Sequence, residues 1–235
     1  MQSGNGGGPR SRSGPVVRAV GVLAALLAML VVLGAGCATG AGRARAGAQP
    51  DNVFKYPSPL PADLKRVALL PIACAGNTDD LVAGCRALQS VVTADLIETK
   101  RFEVKAVDAE TMREHTGQPT WSGDEVLPHG FFESVREWSG CDAVMFCELT
   151  TYRAYAPVAI GWRMKLVDAR TNRVLWAMDQ VFDSKERSEQ ESFWHTMSAA
   201  LPGSGETRPD WALWNSPAEW GRYSAARAFA TLPDR

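Results

Sequence analysis

The sequence predicts an α/β fold: a mixed β-sheet of about five strands with helices packed on it, ending in an antiparallel meander and followed by a C-terminal helix. Three observations predict this class. Short apolar runs alternate with helical patterns between residues 66 and 140, which is typical of parallel strands joined by crossover helices. From residue 142 onward, three stretches alternate apolar and polar side chains, as half-buried strands do. A capped helical pattern then closes the chain.

The first half of this domain is predicted to alternate strands and helices. The run RVALLP at 66–71 is short, apolar and ended by proline, which predicts a buried strand, and FEVKA at 102–106 predicts a second. Apolar residues at helical spacing predict a long helix over 80–99. A short helix is predicted to begin at Asp108, and another spans about 128–139, before Gly140.

The second half predicts three antiparallel strands whose register follows from their apolar faces, because a one-residue slip would expose each face to water. Aligning those faces places Glu148 opposite Arg163 or Lys165, with Asp179 on the same reverse face one strand further on. These charges predict either a cross-strand ion network or a polar recognition surface. The apolar faces are Ala143, Met145, Cys147 and Leu149; Ile160, Trp162, Met164 and Leu166; and Val174, Trp176 and Met178.

The C-terminal segment is rich in tryptophan and begins a helix clearly. Ser216 as cap, Pro217 at the first helical position and Glu219 at the third form a strong helix start. The indoles of this segment either pack the last helix on the sheet or remain exposed as anchors for a partner, since tryptophan is enriched at binding hot spots. Trp220 is expected in the core. The candidate partner-binding residues are Arg208, Trp211, Trp214, Arg222 and Tyr223.

The first 36 residues have the pattern of an export signal. Residues 1–18 carry three arginines and no acidic residue, and Ala19–Gly36 is uncharged and apolar. This is the order of a secretory signal peptide, with an uncleaved anchor helix as the alternative, because 18 apolar residues are close to a membrane-spanning length. The small residues before Cys37 resemble the lipobox of bacterial lipoproteins, which implies cleavage before Cys37 and acyl chains on that residue.

A lipidated Cys37 implies a membrane-anchored protein of the bacterial envelope. By analogy with the sorting of enteric lipoproteins, Ala38 in place of Asp after the cysteine favours the outer membrane, facing the periplasm. Residues 37–62 are rich in Gly, Ala and Pro, which predicts a flexible tether, and residues 63–235 are expected to form one domain. The whole chain has a net charge of −1. Cleavage of the signal peptide would remove its three arginines and change the net charge to −4. The charge therefore gives no support for nucleic-acid binding.

Four further cysteines remain in an exported protein, where an even number suggests disulfides. Cys74 and Cys85 flank a loop that can fold back on itself, so this pairing is favoured over the others, with Cys141 and Cys147 as buried thiols. No Cys or His spacing fits zinc, and no hydrolase or phosphate-loop motif is present. A Cys–His hydrolase using Cys74 or Cys85 is the enzyme alternative; the expectation is a protein without catalytic residues, cofactor or metal.

Several segments together resemble a group of bacterial envelope lipoproteins with a small α/β domain. They are RVALLPI, FEVKAV, GCDAVMFCELTTYRAY and GWRMKLVDARTNRVLWAMDQVFD. The domain occurs in the amino-terminal part of the TolB translocation protein, in lipoprotein activators of penicillin-binding proteins and in the curli-secretion lipoprotein. The resemblance covers about residues 64–184, and Tyr152, Asp168, Thr171 and Trp176 match its most specific pattern.

These matched motifs bear on the fold, so the resemblance implies no catalytic residues. It implies a non-catalytic binding or adaptor module for an envelope protein complex, with an envelope protein as partner and no small-molecule substrate identified. The alternative is a structural subunit of an envelope export or assembly complex. The curli-type pore requires long membrane-spanning hairpins, which this sequence lacks.

Overall fold

The computed structural model describes residues 50–56, 59–200 and 215–235. The predicted signal peptide and Cys37 lie outside the described residues. The elements are, in chain order, β1 Val53–Lys55, β2 Arg66–Leu69, β3 Ala73–Cys74, α1 Asp79–Glu98, β4 Glu103–Ala106, α2 Ala109–Thr116, α3 Phe131–Ser139, β5 Ala143–Arg153, β6 Ala159–Asp168, β7 Val174–Asp183, α4 Arg187–Ala200 and α5 Pro217–Phe229.

The strands form one mixed sheet in the order β1-β7-β6-β5-β2-β4, with β3 pairing beside β5. β2 lies parallel to both β4 and β5, as the crossover pattern predicts, and β5, β6, β7 and β1 are antiparallel. The predicted fold class is confirmed. The described sheet has seven strands rather than about five, because β1 and β3 are too short to leave a periodic signal in the sequence.

The meander has the predicted register at its centre. Glu148 pairs with Arg163, and Arg163 pairs with Asp179. Trp162 and Trp176 are fully buried on adjacent strands, but Trp162 pairs with Gln180 and is therefore not the direct neighbour of Trp176. A register shift after Leu166 also moves Val174 from the predicted apolar face to the opposite one.

One face of the sheet packs against α1 and α5. Leu88, Val92 and Leu96 of α1 and Trp220 and Phe229 of α5 belong to the same buried cluster as the apolar face of β5 and β6. Two buried indoles reach out from the sheet to this layer. Trp162 Nε1 donates to Ser224 Oγ at 2.8 Å, and Trp176 Nε1 donates to Thr231 Oγ1 at 3.0 Å. The two indoles therefore connect the sheet to α5 and to the turn that directly follows it.

α5 packs against α1 at Gly221. A β-carbon on Gly221 would lie only 2.3 Å from Cδ2 of the buried Leu88, so a larger residue at this position would displace that side chain. The helix begins as predicted, with Ser216 Oγ accepting a hydrogen bond from the Glu219 backbone N–H. The C-terminal helix is thus an integral layer of the domain and not an appendage to it.

The opposite face of the sheet is only partly covered by helices. Met112 of α2 and Phe131 and Val135 of α3 pack with Ala68, Val144 and other residues of β2 and β5 in a second apolar cluster. None of the described helices lies over the central part of β6 and β7 on this face. The residues there are instead polar or half-exposed, which leaves a groove on the sheet itself.

Two further elements differ from the sequence expectations. β1 pairs with residues 176–178 of β7, so the sheet includes part of the segment expected as a flexible tether. α4 has no predicted counterpart, and its Phe193 stacks on Trp220 with ring centroids 5.1 Å apart. Within the described ranges, no helix combines the length and apolarity needed to cross a bilayer.

Candidate functional site: a polar groove on the second sheet face

The partly covered sheet face carries a groove of about 180 Å³, which we call the polar groove. Its floor is formed by neighbouring residues of β6 and β7. One wall is the β1 edge with Phe54, and the other is the loop that contains Asp124. The residues lining it are Asn52, Phe54, Asp124, Arg163, Met164, Lys165, Ala177, Met178 and Asp179.

Arg163 is the central charge of the groove. Its Nε lies 2.9 Å from Asp179 Oδ2 and 3.3 Å from Asp124 Oδ2, while Nη1 lies 3.1 Å from Glu148 Oε2. Glu148 also accepts a hydrogen bond from Ser122 Oγ at 3.0 Å. Three carboxylates on three different segments therefore fix one guanidinium in a single orientation, because its planar fork of donors is rigid.

The loop between α2 and α3 is attached to the same network. Lys165 Nζ donates to Gly123 O at 2.9 Å and contacts the Asp124 carboxylate. A β-carbon on Gly123 would lie 3.3 Å from the Lys165 side chain, so the loop backbone lies against β6. These contacts hold an irregular segment on the sheet and make it one wall of the groove.

The charges of the groove stabilise one another in their ionised forms. The hydrogen bond from Lys165 holds the pKa of Asp124 below its ordinary value, and the positive charges of Lys165 and Arg163 add to this effect. The hydrogen bond with Asp179 raises the pKa of Arg163 further, with support from Glu148 and Asp124. Asp124 and Arg163 are therefore both charged at neutral pH.

Apolar side chains flank these charges on the solvent side. Phe54 of β1 is 51% exposed and Val181 of β7 is 45% exposed. A rigid polar centre with exposed apolar neighbours is the composition of a protein-binding patch, where apolar contacts supply affinity and charges select the partner. Arg163 has its carboxylate partners already, so the arrangement is suited to binding and offers no group poised for proton transfer.

Three of the residues predicted to bind a partner, Arg208, Trp211 and Trp214, lie outside the described residues. The other two are described and differ from each other. Arg222 is exposed and contacts Glu219 one helical turn away. Tyr223 is only 2% exposed, and its hydroxyl donates to Glu189 Oε2 at 2.7 Å. Tyr223 is therefore a core residue here and presents no surface to a partner, as helix periodicity directs its ring toward the sheet.

Two of the described cysteines form a disulfide and two are buried free thiols. Cys74 and Cys85 form a disulfide with Cα atoms 6.3 Å apart. Cys141 and Cys147 are free and buried, and burial raises the pKa of the Cys147 thiol far above its ordinary value. A buried thiol with a raised pKa is inert as a nucleophile.

One of the described histidines packs against an aromatic ring. His115 stacks on Trp138 with ring centroids 4.8 Å apart, which is a packing role. Among the described residues, no group of three His, Cys, Asp or Glu side chains is arranged to hold a metal ion.

Sequence reasoning found the strand charges of the groove but missed its two walls. Asp124 lies between the two short helices that the sequence predicts, and Phe54 lies in the segment predicted as a tether. Neither has a periodic neighbour pattern, and both reach the groove only through contacts between segments distant in sequence. No local signal in the sequence points to either residue.

Comparisons with known proteins give structural matches only. No family model and no curated protein matches the sequence. The matched structures include PelC, solved as a dodecamer, from Paraburkholderia phytofirmans, at 14% identity and a TM-score of 0.44, covering 78% of this chain and 98% of that chain. They also include lipoprotein GNA1162 from Neisseria meningitidis, at 17% identity and a TM-score of 0.38, covering 60% of this chain and 99% of that chain.

A third match is TolB from Acinetobacter baumannii, at 13% identity and a TM-score of 0.29, covering 64% of this chain and 31% of that chain. The matched structures thus include TolB, one of the groups that the sequence resembles. Identities and TM-scores of this size describe a likeness of fold and carry no statement about function.

Proposed function

We propose that this chain is a lipid-anchored, non-catalytic binding module of the bacterial envelope that holds an envelope protein against the polar groove. The observation that carries the proposal is the part of this sheet face that α2 and α3 leave uncovered, where a pre-formed charge network is flanked by exposed apolar residues. Such a network is ordered before the partner arrives, so less conformational entropy is lost on binding.

The charges of the polar groove indicate the chemistry of the partner. Glu148, Asp124 and Asp179 outnumber Arg163 and Lys165, and the side chains of Asp124 and Asp179 are partly exposed. A partner segment with a lysine or arginine beside an apolar residue would therefore complement both the carboxylates and Phe54. The lipid anchor rests on the sequence around Cys37 and keeps the module at the membrane.

Site-specific photo-crosslinking in cells tests this proposal. A benzoylphenylalanine in place of Phe54 or Val181 is expected to form an adduct with an envelope protein. The matched control is the same substitution at Ile97 of α1, which is 52% exposed but lies on the opposite helical layer. Adducts at all three positions, or at Ile97 alone, would contradict the polar groove as the docking surface.

Charge variants make the experiment sharper. Asp124→Asn together with Asp179→Asn is expected to weaken the adduct at Phe54, because the carboxylates no longer attract a basic partner segment. Trp211→Ala and Trp214→Ala test the C-terminal site predicted from the sequence. Each variant is expected to keep the melting temperature of the natural chain and to lose the adduct with the envelope protein. A defined homo-oligomer in detergent, with no foreign adduct, would favour a structural subunit instead.

A further inference from the structure

A second cavity lies at the carboxyl ends of the parallel strands β2 and β4, far along the sheet from β6 and β7. We call it the carboxyl-end cleft. Its volume is about 630 Å³, and α1 forms one side while the start of α2 and the loop after it form the other. Ligands of open α/β sheets bind outside the carboxyl ends of parallel strands, and cavities of this volume hold small molecules.

The walls of the carboxyl-end cleft are mainly apolar. Ile72 and Val107 follow β2 and β4, Val82 projects from α1, and Pro119 closes the loop side. The disulfide between Cys74 and Cys85 is part of the lining and joins the end of β3 to α1. A covalent crosslink in the wall resists collapse of the cavity, so the cleft is open without a ligand.

Two polar groups of α1 face this apolar cavity. Arg86 lines the cleft, is exposed, and makes no ion pair with any described residue. Gln89 uses its Oε1 to accept the Ile72 backbone N–H at 2.8 Å, which fixes the amide in place. Its Nε2 has no partner among the described residues. One cation and one amide donor on the same helix face therefore remain for an anionic group.

The other charged residue of the lining does not compete for that role. Asp108 caps α2, with Oδ1 accepting the Thr111 backbone N–H and Oδ2 accepting the Thr111 hydroxyl, both at 2.8 Å. These hydrogen bonds hold the pKa of Asp108 below its ordinary value. The carboxylate is thus engaged with its own helix start.

We propose that the carboxyl-end cleft binds one fatty acyl chain that ends in a carboxylate. The acyl chain would lie along Ile72, Val82 and Val107, and its carboxylate would pair with Arg86 and accept a hydrogen bond from Gln89 Nε2. Each buried methylene adds about fourfold in affinity, and the charge pair selects a carboxylate over a neutral head group. This site is separate from the polar groove, so either proposal stands if the other fails.

Photoaffinity labelling of the full chain in lipid nanodiscs tests the proposal. The probe is a hexadecanoic acid that carries a diazirine and an alkyne, and the adducts are mapped by mass spectrometry. We expect adducts on peptides containing Ile72, Val82 or Val107. Unlabelled hexadecanoate is expected to compete at about tenfold lower concentration than its methyl ester, because only the acid pairs with Arg86.

Variants of the cleft distinguish the contribution of the Arg86 charge to binding from that of the apolar cavity. Arg86→Gln is expected to weaken the binding of hexadecanoate about tenfold and to leave the binding of the methyl ester unchanged. Arg86→Lys is expected to restore most of the lost affinity for hexadecanoate. Arg136→Gln, at an exposed arginine of α3, is the matched control and should change neither. Ala109→Trp, which fills the cleft entrance, should abolish labelling at an unchanged melting temperature.

Three results would overturn the proposal. They are adducts that map outside the carboxyl-end cleft, equal competition by acid and ester, and an Arg86→Gln variant that binds hexadecanoate as tightly as the natural chain. Each of these outcomes leaves crosslinking at Phe54 unaffected and therefore leaves the proposed function in place.

Discussion

Asp95 is a buried carboxylate whose Oδ2 has no hydrogen-bond partner among the described residues. Its pKa is raised to about 7, chiefly by burial and also by the negative charge of Glu98, while the positive charge of Arg222 opposes the shift. The folded state therefore keeps a proton on Asp95 at a pH where the unfolded chain has lost it. Between about pH 4 and pH 7 the folded protein binds more protons, so its stability falls as the pH rises.

Asp95→Asn removes this titration and tests it directly. At pH 8 the variant is expected to be about 1–3 kcal/mol more stable than the natural chain, because a buried charge is replaced by a neutral amide. The natural chain is expected to lose stability from pH 5 to pH 8, and the variant is not. Urea unfolding at both pH values measures the difference. Parallel pH curves for the two proteins would contradict the buried titration.

Arg163 contacts three carboxylates, of which only that of Glu148 is buried. Arg163→Met leaves Glu148, which is 8% exposed, with Ser122 as its remaining hydrogen-bond partner. We expect a loss of about 1–3 kcal/mol in the free energy of unfolding, since a partly buried carboxylate loses its counter-charge. Arg113→Met is the control, because its contact with Glu110 is exposed and contributes below about 0.5 kcal/mol. If urea unfolding shows the same loss of stability for Arg163→Met and Arg113→Met, the ion network around Arg163 adds nothing to the stability of the fold.

At the scale of elements, α5 depends on the indole hydrogen bonds from the sheet. Trp176→Ala removes a fully buried ring and is expected to cost about 3–5 kcal/mol. Thr231→Val keeps the volume but leaves Trp176 Nε1 without an acceptor, at a cost of about 1–2 kcal/mol. Tyr155→Ala, at an aromatic residue that is almost fully exposed, should leave the melting temperature unchanged. A Trp176→Ala variant that melts like Tyr155→Ala would mean that α5 is not held by the sheet.

The disulfide between Cys74 and Cys85 links α1 to the segment that contains β3. It closes a loop with a sequence separation of 11 residues, for which loop-closure entropy gives about 2–3 kcal/mol. The double variant Cys74→Ala, Cys85→Ala is expected to lose this amount in unfolding experiments without reductant. Under reducing conditions the two proteins should become equally stable. A difference that persists in reductant would point to packing of the sulfur atoms instead.

The predictability of the fold also differs by element. Long periodic segments were predicted closely: α1 begins one residue before the predicted range, and β5 and β6 carry the predicted apolar faces. β3 has only two residues, and β1 lies in a Gly-, Ala- and Pro-rich stretch, so neither has a period to detect. Their pairing energy comes from distant strands, which local sequence does not encode.

The candidate site depends even more than these short strands on contacts between segments that are distant in sequence. Matching apolar faces predicted that Glu148, Arg163 and Asp179 share one surface, and the strand register confirms it. That this surface is a groove depends on which part of the sheet α2 and α3 leave uncovered. Helix placement over a sheet follows from the whole core, and no single segment determines it.

For the whole molecule, attachment to the membrane is the decisive prediction. Metabolic labelling with an alkyne fatty acid is expected to modify the natural chain and not Cys37→Ser, which should accumulate as an unprocessed precursor. Cys141→Ser, at a buried thiol inside the domain, is the control and should remain labelled. Labelling of Cys37→Ser would exclude Cys37 as the site of acylation.

The pairing of β1 with β7 brings the sheet close in sequence to Cys37, the proposed lipid anchor. On that proposal, the roughly 15 residues between Cys37 and β1 limit the reach of the module, because a fully extended chain of this length spans about 55 Å at most. A partner docked in the polar groove would then lie within that distance of the membrane. Because Phe54 is both part of β1 and a wall of the polar groove, a force along the chain would act directly on the proposed binding surface.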